Sequence, residues 1–141
     1  MEQALYTAEA TAKGDGRNGE VLSSDGIIDE SLAVPKEMGG PGGEHTNPEQ
    51  LFAAGYSACF HGALRKVASE SGVDVGGSTV TARVTIGKGE MGQFTLEVAL
   101  ETALPGFEQG RADELVAQAH QVCPYSNATR GNIVVTVTAK T

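Results

Sequence analysis

Two thiols are the groups in this chain best suited to chemistry. Cys59 lies in the uncharged run Leu51-Phe-Ala-Ala-Gly-Tyr-Ser-Ala-Cys-Phe-His-Gly-Ala-Leu64, and Cys123 directly precedes Pro124 in Cys123-Pro-Tyr-Ser-Asn-Ala-Thr-Arg-Gly-Asn132. A buried cysteine taken alone is most often inert packing. One thiol on a buried helix and a second at a mobile helix end suit a different role, a pair that reacts with something and then with each other.

Other chemistries fit these residues less well. Cys59 and His61 are too close in sequence to point the same way on a helix, and no Cys-x-x-Cys or His-x-x-x-His pattern supports them, so neither a metal nor a metal cofactor is expected. His61 and His120 are possible general bases, but a lone His beside an apolar helix is usually a satisfied structural residue. His45, after the glycine cluster, reads as solvated. No Asp or Asn is placed to complete a Cys-His triad, which leaves a hydrolase poorly supported. Arg17 in a Gly-rich turn and Glu49 in a first helical turn read, by default, as a solvated charge and a helix-dipole partner.

The elements that position these residues are legible. Tyr6 to Ala12 alternates weakly, Gly14-Asp-Gly-Arg-Asn-Gly19 is a turn cluster, and Glu20 to Ser24 and Ser31 to Pro35 read as returning strands. Gly39-Gly-Pro-Gly-Gly43 then breaks regular structure. The first helix starts with Asn47 as N-cap, Pro48 at its first position and Glu49-Gln50 as a first-turn anion and capping-box partner. It runs to about Glu70, with Gly72 as terminator. Apolar on every side through its middle, it is expected to be enclosed by other elements. The strands 79–86 and 94–100 alternate with period two, placing residues 80, 82, 84, 86 and 94, 96, 98, 100 on the core face, joined by Gly87–Gly92. A second helix spans about 110–122 with Ala112, Leu115, Val116, Ala119 and Val122 on one stripe, and Pro124 stops it. Ile133 to Ala139 is a closing strand. The class is α+β, with antiparallel sheet.

Bulk properties exclude several functions. The 141 residues suit one domain, 40% hydrophobic and 20% charged content suits a packed core, and a net charge of −8 argues against nucleic acid as a partner. The run from Leu51 to Leu64 is shorter than the roughly 20 residues of a membrane span and contains Gly55, Ser57, His61 and Gly62. No secretory signal is visible, so a reducing cytoplasm is expected, where two cysteines are catalytic, metal-binding or inert rather than a structural staple.

Residues 47–64 resemble the central helix of the organic hydroperoxide resistance (Ohr) proteins within the Ohr/OsmC superfamily, and Val122-Cys-Pro-Tyr-Ser-Asn-Ala-Thr-Arg-Gly-Asn132 resembles that family's second motif. The order of elements agrees along nearly the whole chain. This resemblance implies an OsmC-like fold, with antiparallel sheets wrapped around buried central helices in an intertwined homodimer. It also implies reduction of alkyl and fatty-acid hydroperoxides without a bound cofactor. Cys59 would be the peroxidatic thiol, Cys123 the resolving thiol that closes a disulfide with it, Arg17 the catalytic arginine and Glu49 its carboxylate partner. The reductant would be a lipoylated protein or dihydrolipoamide.

Physical chemistry gives those roles content. A thiol with pKa ~8.5 is only about 3% thiolate at pH 7, and an arginine that lowered it to ~5.5 would raise that fraction about thirtyfold. Peroxidases need more acceleration, so orienting the peroxide and stabilising the departing alkoxide are the larger roles for Arg17, with Glu49 fixing its plane. Glu49 and Cys59 stand ten residues apart on one helix, about 15 Å along its axis. A carboxylate serving that thiol would then come from an antiparallel copy of the helix in a second subunit. Met38, Phe52, Phe94 and Phe107 are candidates either for an apolar pocket or for plain core. Two rival functions remain: a broader peroxidase of the sister branch, and a redox sensor that uses the cysteine pair once.

Overall fold

In the computed structural model, which describes all residues from Met1 to Thr141, the chain forms two compact units, Met1–Leu51 and Phe52–Thr141. The first unit is an antiparallel meander of β1 (Ala10–Lys13), β2 (Glu20–Ser23) and β3 (Asp29–Ser31). β1 begins later than the alternation suggested, at Ala10, where its pairing with Ser23 of β2 starts. The third strand lies earlier than expected, at Asp29–Ser31 rather than over Ser31 to Pro35, and beyond it Leu32 makes an isolated parallel bridge to Thr46. Between β1 and β2 lies a 3-10 turn, Gly16–Asn18, that carries Arg17. Gly19 closes this turn so tightly that a Cβ there would sit 2.3 Å from the Lys13 carbonyl. Asn18 Oδ1 accepts from the Val34 backbone N–H at 2.9 Å, tying the turn to the segment after β3. Only Leu32 and Ala33 among this unit's apolar side chains are buried.

Helix α1 (Pro48–Glu70) starts as expected. The Gln50 N–H donates to Asn47 Oδ1 at 2.9 Å, satisfying one of the donors that a helix start leaves free. The reciprocal half of the capping box is absent, since Gln50 Oε1 instead accepts from Thr46 Oγ1 at 2.9 Å. At the other end Gly72 takes φ +67°, and the Val73 N–H returns to the Ala68 carbonyl at 2.8 Å, a Schellman-type close. The helix is not enclosed on every side within one chain. Tyr56, Phe60, Ala63, Leu64, Val67 and Ala68 are buried, while Ala54, Ala58 and Gly62, at i, i+4 and i+8, form an exposed face of small residues.

The second unit continues with β4 (Thr79–Lys88), β5 (Phe94–Ala103), α2 (Gln109–Val122), α3 (Pro124–Thr129) and β6 (Val134–Lys140). β4 and β5 pair antiparallel, with Val84 opposite Val98. β6 pairs with β5 in parallel, with Val98 opposite Val135, so this sheet is mixed rather than antiparallel throughout. The helical excursion through α2 and α3 supplies the crossover that a parallel return requires. The α+β class stands.

Val98, Leu100 and Thr102 face the core, and Val80, Ala82 and Val84 pack on it. Phe94 does not: it is 69% exposed at the hairpin end, under Lys88 Nζ at 6.0 Å. Glu108 caps α2 by accepting from the N–H groups of Gly110 and Arg111. Ala112, Leu115, Val116 and Ala119 face inward, whereas Val122 turns outward. Pro124 stops α2, yet its fixed φ also begins α3, a helix not anticipated from the sequence. No helix is long and apolar enough to cross a membrane.

Candidate active site

The four candidate residues form two pairs. In the first unit, Arg17 and Glu49 make a bidentate contact: Nη1 donates to Oε2 at 3.0 Å and Nη2 to Oε1 at 2.8 Å. The 3-10 turn presents the guanidinium, and the Asn47 cap holds Glu49 in the first turn of α1. Arg17 is 41% exposed and Glu49 only 13%. The shared hydrogen bonds raise the arginine pKa further and hold the Glu49 carboxyl below the usual carboxylate range. The fork fixes the guanidinium plane, leaving its remaining N–H donors free for an anionic or polar ligand. Both default readings of these residues are therefore replaced by one structured ion pair.

In the second unit, the thiols meet. Cys123 Sγ lies 3.4 Å from Cys59 Sγ, and both are free. Cys59 is half-buried on α1, and Cys123 is fully buried at the bend where α2 ends and α3 begins. The expected mobile end is thus a packed corner, with Cys123 closing one helix and opening the next. Short of covalent distance by little more than an ångström, this is a dithiol one small movement from a disulfide.

The ionisation of Cys59 departs from the expectation of a lowered pKa. Burial pushes the thiol up, and the neighbouring Cys123 adds to that, while the backbone N–H of Tyr125 pulls it down. Desolvation wins, so the resting thiol is more protonated at neutral pH than a free cysteine. Tyr125 belongs to the first turn of α3, and its ring lies between 5.6 and 5.9 Å from those of Tyr56 and Phe52. Gly55 makes room for it: a Cβ there would meet the Tyr125 hydroxyl at 2.9 Å. Phe52, two helical turns before Cys59 on α1, and Tyr125 on α3 thus form an aromatic pair. Of the other proposed pocket residues, Phe107 packs on the core and Met38 is exposed.

His61 and His120 are structural in contact. His61 Nε2 pairs with Ser78 Oγ at 3.0 Å, and His120 Nδ1 with Ser126 Oγ at 2.8 Å. Burial, helped by the Arg130 charge, lowers the His120 pKa and keeps the imidazole neutral. No group of three or more His, Cys, Asp and Glu side chains converges as a metal site would require. Sequence reasoning missed Tyr125 and Ser126, although both stand in the Cys-Pro-Tyr-Ser motif; the signal available was proline at the start of a second helix.

The chain matches known proteins along nearly its whole length. The OsmC-like protein family matches residues 40–138. The chain is 52% identical to an organic hydroperoxide resistance protein of Xanthomonas axonopodis pv. citri, over 97% of this chain and 96% of that one. Among solved structures, an organic hydroperoxide resistance protein from Elizabethkingia anophelis, crystallised with thiocyanate bound, superposes with a TM-score of 0.93 at 50% identity, over 99% of each chain. A protein from Vibrio cholerae, described as a putative organic hydroperoxide resistance protein with captopril in one of its active sites, matches with a TM-score of 0.90 at 48% identity, over 98% of this chain and 94% of that one.

Proposed function

Because this chain belongs to the organic hydroperoxide resistance proteins of the OsmC-like family, we propose that it is a cytoplasmic, cysteine-based peroxidase reducing alkyl and fatty-acid hydroperoxides. The observation that carries this reading is the Cys59–Cys123 dithiol at 3.4 Å, reduced and enclosed by apolar side chains. The Cys59 thiolate attacks the terminal peroxide oxygen. An S–O bond forms, the O–O bond breaks, and the alkoxide takes a proton to leave as alcohol. The Cys123 thiol then attacks the sulfenic sulfur, forming the disulfide and releasing water. A dihydrolipoyl dithiol returns two electrons and two protons, regenerating both thiols. Free dihydrolipoamide and a lipoylated protein present the same chemistry.

Arg17 and Glu49 act in this scheme as one preformed unit. The guanidinium orients the peroxide and stabilises charge on the departing alkoxide, and Glu49 fixes its plane. Since about 15 Å of helix rise separates Glu49 from Cys59, the ion pair serving a given thiol is taken from an antiparallel partner in a homodimer. Two features support a dimer: the exposed Ala54–Ala58–Gly62 face, and a first unit that buries only Leu32 and Ala33 while exposing Leu22, Ile27 and Ile28. A three-stranded sheet with so little core is not stable alone. The two units together then work as one domain.

Steady-state turnover coupled to dihydrolipoamide tests the reading, with cumene hydroperoxide and hydrogen peroxide run in parallel. Strong preference for the organic peroxide is expected, and equal or better use of hydrogen peroxide would point to the broader sister branch. A second reading, a redox sensor that oxidises once, uses the same Cys59–Cys123 pair. Multiple turnovers exclude it, and a single stoichiometric oxidation would establish it.

A further inference from the structure

Beside the two thiols lies a hydrogen-bonded knot that joins the three helices. Tyr56, fully buried on α1, places its hydroxyl 3.0 Å from Ser126 Oγ and 3.1 Å from Thr129 Oγ1, both on α3. Ser126, itself fully buried, also meets His120 Nδ1 of α2 at 2.8 Å. Thr129 Oγ1 lies 3.0 Å from the Tyr125 carbonyl, one helical turn back. Arg130 clamps the outside of the same bend, donating to the His120 carbonyl and to Asn127 Oδ1. Tyr56, His120 and Ser126 each stand one helical turn from a thiol. Tyr56 precedes Cys59 by three residues, and Cys123 lies midway between His120 and Ser126.

Counting hydrogens gives the knot a direction. Thr129 has one hydroxyl hydrogen and returns it to the Tyr125 carbonyl, so it accepts from Tyr56. Tyr56 then accepts from Ser126, and Ser126 accepts from a proton on His120 Nδ1. Donation runs from His120 through Ser126, Tyr56 and Thr129 to the Tyr125 carbonyl. Every member is satisfied, which matters because a buried hydroxyl left unpaired is costly.

We propose that Ser126, held by His120 and Tyr56, is a positioning residue for the Cys59–Cys123 couple. It locks the first turn of α3 against α1, so that Cys123 stays within reach of Cys59. The inference rests on the thiol-pair reading for its biological meaning, but the geometry it explains is independent of peroxide.

The test is the dithiol–disulfide equilibrium constant of the intact protein in dithiothreitol redox buffers, which needs no peroxidase activity. Ser126→Ala and His120→Ala should each lower the constant for closing the disulfide about tenfold. In His120→Asn the amide nitrogen takes the place of Nδ1, and the constant should return to within about twofold of wild type. His120→Gln places its amide where Nε2 stood and should not rescue. Should the alanine variants fold poorly, the Asn and Gln pair decides alone. A wild-type constant in folded Ser126→Ala, or equal constants for His120→Asn and His120→Gln, overturns the proposal. Failure of the wild type to react with any organic hydroperoxide would instead count against the function, leaving this measurement intact.

Discussion

The arginine–glutamate pair and the thiol pair solve opposite electrostatic problems. Arg17 and Glu49 keep full charge at a partly exposed position, where water remains available and a bidentate fork supplies orientation. Cys59 and Cys123 sit in apolar packing that disfavours charge, and Cys59 is correspondingly pushed toward its protonated form. In the proposed function this stores the nucleophile as a neutral thiol. It becomes reactive only when something brings compensating positive charge, and in the proposed dimer that is the partner's guanidinium. The lesson is a division of labour: the core stores the electrons and the surface turn carries the charge.

Substitutions break this comparison to different degrees. The largest effect is expected at the nucleophile, where Cys59→Ser should cut peroxide turnover by about three orders of magnitude or more. Cys123→Ser should still consume one equivalent and stop at the sulfenic acid or a mixed disulfide, visible by dimedone trapping. Ala58→Glu, which places a charge on the exposed small-residue face, should give a monomer by sedimentation with activity lost; a fully active monomer would rule out the shared site. Removing charge at the surface should cost less. Arg17→Met is expected to lower turnover about a hundredfold, and Glu49→Gln about tenfold, since it loosens the guanidinium without deleting it.

Two pH profiles sharpen the same contrast. Alkylation of Cys59 in the Ala58→Glu monomer should climb with pH through and beyond the ordinary thiol range, whereas the dimer should titrate lower. Coincident profiles would show that no partner charge reaches the thiol. The smallest effect concerns stability. The folded Glu49 pKa is depressed, so its contribution is present above the ordinary carboxylate pKa and is lost as pH falls through the folded value. Acid unfolding of Glu49→Gln should therefore be flatter over that window than that of the wild type.

Much of this was legible in the sequence where one residue type admits one conformation. Asn47-Pro48 set the helix start, Gly72 its end, and the alternation of Val80 to Val84 the core face of β4. Direction of pairing was not legible, because β6 alternates equally well beside β5 in either sense. Pro124 was read as a stop only, although the same fixed φ serves a start. Cys123 consequently changed from a loose end to a buried corner. The residues singled out in the turn and the two motifs lie as two pairs in space, Arg17 with Glu49 and Cys59 with Cys123, yet the ionisation of Cys59 could not be read from types and spacing, since burial decides it. Small residues also misled: Ala54, Ala58 and Gly62 count as apolar in a pattern but leave an open face in one chain.

The account depends most directly on the two thiols becoming one disulfide at the expense of one hydroperoxide. Intact-mass and peptide mapping after a single equivalent of cumene hydroperoxide measures this. The prediction is a loss of two hydrogens per chain, a Cys59–Cys123 cross-linked peptide pair, and one equivalent of cumyl alcohol. Alcohol released while both thiols remain free, or oxidation at other residues with this pair intact, would contradict it.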